Sequence, residues 1–100
     1  MTRGTTPTHI FTLPIRTERI KAMRIVYSQH GIPVLVKEAK DCAMEGNTVT
    51  LKLSQEDTFL FEDDITAAVQ MRIRLSDGEV IASDVHHCDL NVLLDDEVVI

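Results

Sequence analysis

The chain has no Trp, one Tyr and three Phe. Ligand- and carbohydrate-binding modules line their sites with aromatic side chains, so this scarcity argues against that class. It has two Cys, Cys42 and Cys88, fewer than the disulfide frameworks of small secreted domains. Both lie in apolar-flanked, strand-like segments and are expected to be buried, reduced thiols; whether they pair depends on a strand adjacency the sequence does not reveal. Four Gly leave no evident backbone cradle for a nucleotide. No Gly-rich phosphate loop, Cys-x-x-Cys or Gly-x-Ser-x-Gly motif is present. No apolar run approaches the ~20 residues of a membrane helix. Met1–Pro7 has no apolar stretch of the kind a secretory signal carries. The expected compartment is the cytosol on synthesis, or a particle such as a virion assembled there, with no membrane partner and no cofactor.

Positive charge is also short. The formal net charge is −6, whereas a nucleic-acid binder needs a basic surface to displace counterions from phosphates; no nucleic-acid partner is expected. The deficit is uneven. Residues 1–50 hold seven Lys/Arg and four Asp/Glu, and residues 51–100 hold three and twelve. Interleaving of the halves in one fold would neutralise most of this. A dipolar subunit associating head to tail is the sharper alternative.

What is present is alternation. In Ala67–Leu75 apolar residues at 67, 69, 71, 73 and 75 alternate with Gln70, Arg72 and Arg74, the period of a half-buried strand. Asp77-Gly78 then supplies a residue that tolerates positive φ, and Val80–Ala82 resumes the pattern, which predicts a hairpin. The same period marks Thr8–Leu13, Lys21–Gln29, Ile32–Glu38 and Thr48–Leu53, with a short strand expected near Cys42–Met44. Pro14 and Pro33 point to edge positions. Ser54 followed by Glu56 and Asp57 reads as a helix cap with acids in the first turn. One or two helical turns are therefore expected over Ser54–Phe61, with Phe59, Leu60 and Phe61 plugging one end of the core. Glu62-Asp63-Asp64 reads as a solvated loop. A bulge near Ser83-Asp84 would turn Val85 and His87 inward. Residues 93–100 are expected as a tail or a final strand. The whole is one domain, 1–100, with 1–7 as lead-in: an antiparallel, all-β sandwich of about seven strands with one short helix between strands.

Candidate chemistry is sparse. His86 and Cys88 share a strand face and are the one pair suited to a metal, with His9 or Cys42 needed to complete a set. A half-exposed strand with two polar residues and a thiol is the plainer reading, so no metal and no catalytic residue is assigned. A cysteine within a strand is usually inert as a nucleophile. Asp63-Asp64 and Asp95-Asp96-Glu97 lack the Gly-punctuated spacing of a calcium loop. Arg16, Arg19, Lys21 and Arg24 form the one basic concentration in the sequence, suited to phosphate or to the acidic half of this chain or a neighbour. The exposed edges expected to meet other chains are the Pro33-bearing strand and the apolar segment Val98, Val99, Ile100, beside Asp95 and Asp96.

The order Thr-His-Ile-Phe-Thr-Leu-Pro, then Asn-Thr-Val-Thr-Leu-Lys-Leu-Ser-Gln-Glu-Asp-Thr-Phe-Leu-Phe, then Val-Gln-Met-Arg-Ile-Arg-Leu-Ser-Asp-Gly-Glu-Val-Ile-Ala-Ser-Asp resembles small prophage-encoded proteins of gut Firmicutes. More distantly, it is similar to the immunoglobulin-like N-terminal domain of phage baseplate upper proteins. The resemblance spans about Thr8 to Val92. It implies an immunoglobulin-like sandwich serving as a non-enzymatic structural or assembly module of a phage or prophage particle. The expected partners are copies of itself or other particle proteins, with a homo-oligomer as the expected state. The rivals are a ligand- or carbohydrate-binding sandwich and a small metal-binding protein using His86 and Cys88.

Overall fold

The computed structural model describes residues 1–100. Eight strands form two antiparallel sheets. They are β1 (Thr8–Thr12), β2 (Ile20–Gln29), β3 (Ile32–Glu38), β4 (Ala43–Glu45), β5 (Thr48–Lys52), β6 (Ala67–Leu75), β7 (Val80–Ala82) and β8 (His86–Cys88). The smaller sheet has the order β1-β5-β4. The larger runs β3-β2-β6, and both β7 and β8 then pair with the far side of β6, end to end.

Alternation explains which face of each strand is buried. Met23, Ile25 and Tyr27 of β2, Val49 and Leu51 of β5, and every odd residue of β6 from Ala67 to Leu75 join one core. Tyr27 and Phe61 sit at its centre with rings edge to face, 5.9 Å apart, a geometry favoured by the aromatic quadrupole. The β2–β3 turn is His30-Gly31, with φ of 55° and 72°. Two consecutive positive φ values match the twist of a two-residue hairpin, and Gly31 adopts its value without steric cost.

Helix α1 (Gln55–Phe59) begins with a reciprocal cap. The Asp57 N–H donates to Ser54 Oγ at 3.0 Å and the Ser54 N–H donates to Asp57 Oδ2 at 3.0 Å, which satisfies two otherwise orphaned donors. The expected aromatic plug is divided. Phe61 is buried, Phe59 is half-buried beneath the Arg3 guanidinium, and Leu60 is 57% exposed. One helical turn points three consecutive residues in different directions, so they cannot all face the core.

One other expectation is corrected. The bulge at residues 83–85 exists, because three residues there span two of β6 between the Arg72–Ala82 and Val69–His86 pairs. Its effect on facing is the reverse of that expected. Ile81 lies opposite buried Ile73 and is the inward residue of β7. Beyond the bulge His86 and Cys88 take the inward register, opposite Val69 and Ala67, although only Cys88 is half-buried and His86, like Val85 and His87, is exposed. Residues 93–100 form no strand. The lead-in is held to the body of the domain: Thr2 bridges Asn91 and the Met1 ammonium donates to the Asp89 carbonyl at 2.7 Å. Gly4 has φ +73° and lies against the Phe59 ring, where a Cβ would stand 2.8 Å from Cζ.

In the immunoglobulin arrangement the sheets run A-B-E-D and G-F-C, with C′ added beside C. Here β1, β5 and β4 occupy the B, E and D lanes. β3, β2 and β6 occupy C′, C and F, and β7 with β8 share G. Lane A, outside β1, is unfilled.

Two substitutions grade these contributions. Phe61→Ala should lose about 4 kcal/mol of stability, the usual cost of emptying a buried aromatic site, and Ser54→Ala about 1 kcal/mol, the usual cost of an N-cap. Urea denaturation checks both, and equal losses would contradict the assignment of Phe61 to the core centre.

Candidate interaction site

The open lane gives the molecule its most distinctive surface. The Leu13 N–H donates to the Asn47 carbonyl at 2.8 Å, and the Pro7 carbonyl accepts from the Leu53 N–H at 2.9 Å. Successive residues of a strand turn their backbone groups to opposite sides. The odd residues from 7 to 13 therefore face β5. The N–H and C=O groups of Thr8, Ile10 and Thr12 face outward, with no partner in the chain.

The other edges are guarded. β4, β7 and β8 are each three residues long, and the bulge separates the last two. β3 is an edge, as its proline suggests, but it carries Pro33, Lys37 and Glu38. Short strands, bulges, prolines and charges are the devices that keep sheet edges from pairing with other chains. β1 has none of them: its five residues read Thr-His-Ile-Phe-Thr, and Ile10 is 67% exposed.

Along this edge runs a groove of about 490 Å³. β1 forms one wall, the inward side chains Val69 and Met71 of β6 lie at the bottom, and Ser83, His86, His87 and Cys88 form the far side. His9 points inward from β1, and its Nδ1 lies 2.6 Å from the Tyr27 hydroxyl. Burial lowers the His9 pKa, assisted by the N-terminal ammonium. Burial raises that of Tyr27, with Cys88, Cys42 and Asp57 adding in the same direction. The phenol stays protonated and the imidazole is held neutral, a pair that satisfies the hydroxyl rather than one primed for proton transfer. Burial likewise raises the Cys42 thiol, which disfavours the reactive thiolate. Both cysteines are free and half-buried.

The structure regroups the residues singled out by sequence. His9, His86 and Cys88 do come to one groove, yet no three His, Cys, Asp or Glu side chains gather closely enough to hold a metal ion. The basic concentration disperses. Arg16 pairs with Glu18 at 2.8 Å, Arg19 lies 4.0 Å from Asp77, and Lys21 sits at a register shift in β2. Arg24 instead stands directly opposite Arg72, a neighbour in space that no sequence spacing announces. Pro33 is exposed at the β3 edge. Asp96 pairs with Arg3 at 3.2 Å, and Arg3 also reaches Asp63 at 3.6 Å. The acidic loop is thus tied down at Asp63 rather than fully solvated. Asp95, Val98, Val99 and Ile100 are exposed, and Gln55 holds the backbone of Val99. β1 is the edge strand that Pro14 indicates, but sequence reading assigns no interaction there. Its available signal was an uncharged, proline-free strand bracketed by Pro7 and Pro14.

The His9 shift has a sign that can be tested. An unfolded histidine titrates near 6.5, and the folded one titrates lower. Between those values the unfolded chain binds a proton that the folded chain does not, so stability falls as pH drops below about 6.5 and is unaffected above it. His9→Gln should remove this dependence: the difference in unfolding free energy between wild type and variant should change between pH 7 and pH 5 and stay constant above pH 7. A constant difference throughout would contradict the assignment.

Compared with protein-family models, with curated proteins and with solved structures, the chain matches none.

Proposed function

We propose that this protein is a non-enzymatic assembly module in which the open edge of β1 pairs with β1 of a second copy, in the phage or prophage setting that its resemblance implies. The observation that carries this reading is the unguarded edge itself, in a molecule whose other edges are all blunted. The outward-facing residues of β1 support the choice of a second copy. Thr8, Ile10 and Thr12 read the same in both directions about Ile10. A two-fold axis there sets Ile10 against Ile10 and each Thr8 against a Thr12. Every free N–H then meets a carbonyl in antiparallel register. Thr–Thr and aliphatic cross-strand pairs are favourable, and no charge faces its like. Such a contact is isologous and closes at a dimer. The second copy's β1 fills the lane of strand A, with the polarity that strand has beside B, and covers the groove. Exposed backbone groups supply affinity in strand addition generally.

Size exclusion with light scattering over a micromolar concentration series should show a reversible monomer–dimer equilibrium. Ile10→Lys, which places two ammonium groups face to face without touching the backbone, should hold the protein monomeric with an unchanged circular dichroism spectrum. Ile10→Pro should act in the same way, because the N–H it removes makes no bond within the chain. A wild type that stays monomeric after concentration, or a dimer that survives Ile10→Lys, would overturn the reading.

A further inference from the structure

The outer face of the larger sheet carries an unspent charge. Register places Glu38, Arg24, Arg72 and Ala82 in one row across β3, β2, β6 and β7, and Ala22, Arg74 and Val80 in the next. Arg24, Arg72 and Arg74 are exposed and enter none of the ion pairs of the molecule. Glu38 stands beside Arg24 at the rim of this face but forms no ion pair with it, and its N–H donates to Asp41 Oδ2 at 2.9 Å. The three guanidinium groups line a shallow depression of about 320 Å³. Arg24 and Arg72 are directly opposed like charges, an arrangement that costs stability on a bare sheet and is relieved when oxyanions sit between them, where guanidinium forks bind carboxylates in bidentate geometry.

The complementary surface lies at the other end of β6. The Leu93 N–H donates to Asp63 and the Asp64 N–H donates to the Leu90 carbonyl. These bonds, with Arg3 bridging Asp63 and Asp96, draw the loop 62–64 and the segment 95–97 together. These segments hold six carboxylates; Arg3 is the cation paired with them, and His30 Nε2 lies 2.7 Å from the Glu62 carboxylate. β6 spans roughly 27 Å at about 3.4 Å per residue, so the two charged regions are separated along a molecule 47 Å in its long dimension.

We infer that the acidic end of one copy, residues 62–64 and 95–97, docks on the Arg24–Arg72–Arg74 face of the next, head to tail. The net charge of −6 favours this occupant over a nucleic acid, whose phosphates the rest of the molecule repels at long range. The contact is heterologous, so it runs on into a ring or an open filament instead of stopping at a pair. It uses neither β1 nor the groove and stands whether or not the β1 edge pairs. Because it joins exposed charges it weakens with salt, whereas pairing along an uncharged strand does not.

Sedimentation velocity at 20 mM and 500 mM NaCl separates the two contacts. Wild type should show a salt-sensitive increase in weight-average mass at low salt. Arg72→Glu/Arg74→Glu should abolish that increase, and so should Asp95→Lys/Asp96→Lys/Glu97→Lys. An equimolar mixture of the two variants should restore it, because each supplies the surface the other has lost. Mass that is independent of salt, or variants that fail to rescue each other, would overturn the inference. So would a wild type that shows no self-association and binds a single-stranded DNA oligonucleotide through these arginines.

Discussion

A sheet three strands wide cannot cover one that is four strands wide. β1, β5 and β4 lie over a layer in which β7 and β8 prolong the far side of β6, and the mismatch falls entirely outside β1. From that deficit follow the groove, the bare backbone of Thr8, Ile10 and Thr12, and the half-burial of His9 and Cys88 along its walls. The free groups cost little while water reaches them, because the penalty for an unpaired N–H or C=O arises only on drying. A monomer with lane A empty is therefore tolerable, and a partner strand gains by replacing that water with matched carbonyls and amides.

β6 links the two proposed contacts. Its odd residues fill the core and its even residues form the outer face, so one alternation both packs the domain and presents Arg72 and Arg74. The same strand separates the charges, with the acidic loop entering at its start and the arginines standing near its end. An isologous edge and a heterologous face on one subunit are the minimal equipment for an extended assembly: the first closes pairs and the second strings pairs together. Within the groove His86, His87 and Cys88 lie on the wall opposite the His9–Tyr27 pair.

Where a segment contained its own information, the sequence was readable. The alternations of β2, β5 and β6, the Asp77-Gly78 hairpin and the Ser54 cap depend on residues within a few positions of each other, and each formed as expected. The errors arose where a fact belongs to two distant segments. The facing of β7 and β8 is set by Ile73 opposite Ile81 and Val69 opposite His86, so the inward register beyond the bulge falls to His86 and Cys88 rather than to Val85 and His87. Arg24 and Arg72 are separated by about half of the chain and meet only through register. Pro14 marks β1 as an edge, but which backbone groups that edge leaves bare depends on what does not lie beside it, which no local pattern encodes. The partners of the lead-in, Asp89 and Asn91, lie at the other end of the sequence and have no local signal.

The central claim is that the outward backbone of β1 is free in the single molecule and bonded in the pair. Residue-resolved amide hydrogen exchange at rising protein concentration addresses it directly. The amides of His9 and Phe11, which face β5, should be protected at every concentration, and those of Thr8, Ile10 and Thr12 should exchange fast when dilute and become protected as the protein is concentrated. Fast exchange at those three amides at all concentrations would contradict the account, as would protection that is already complete at infinite dilution.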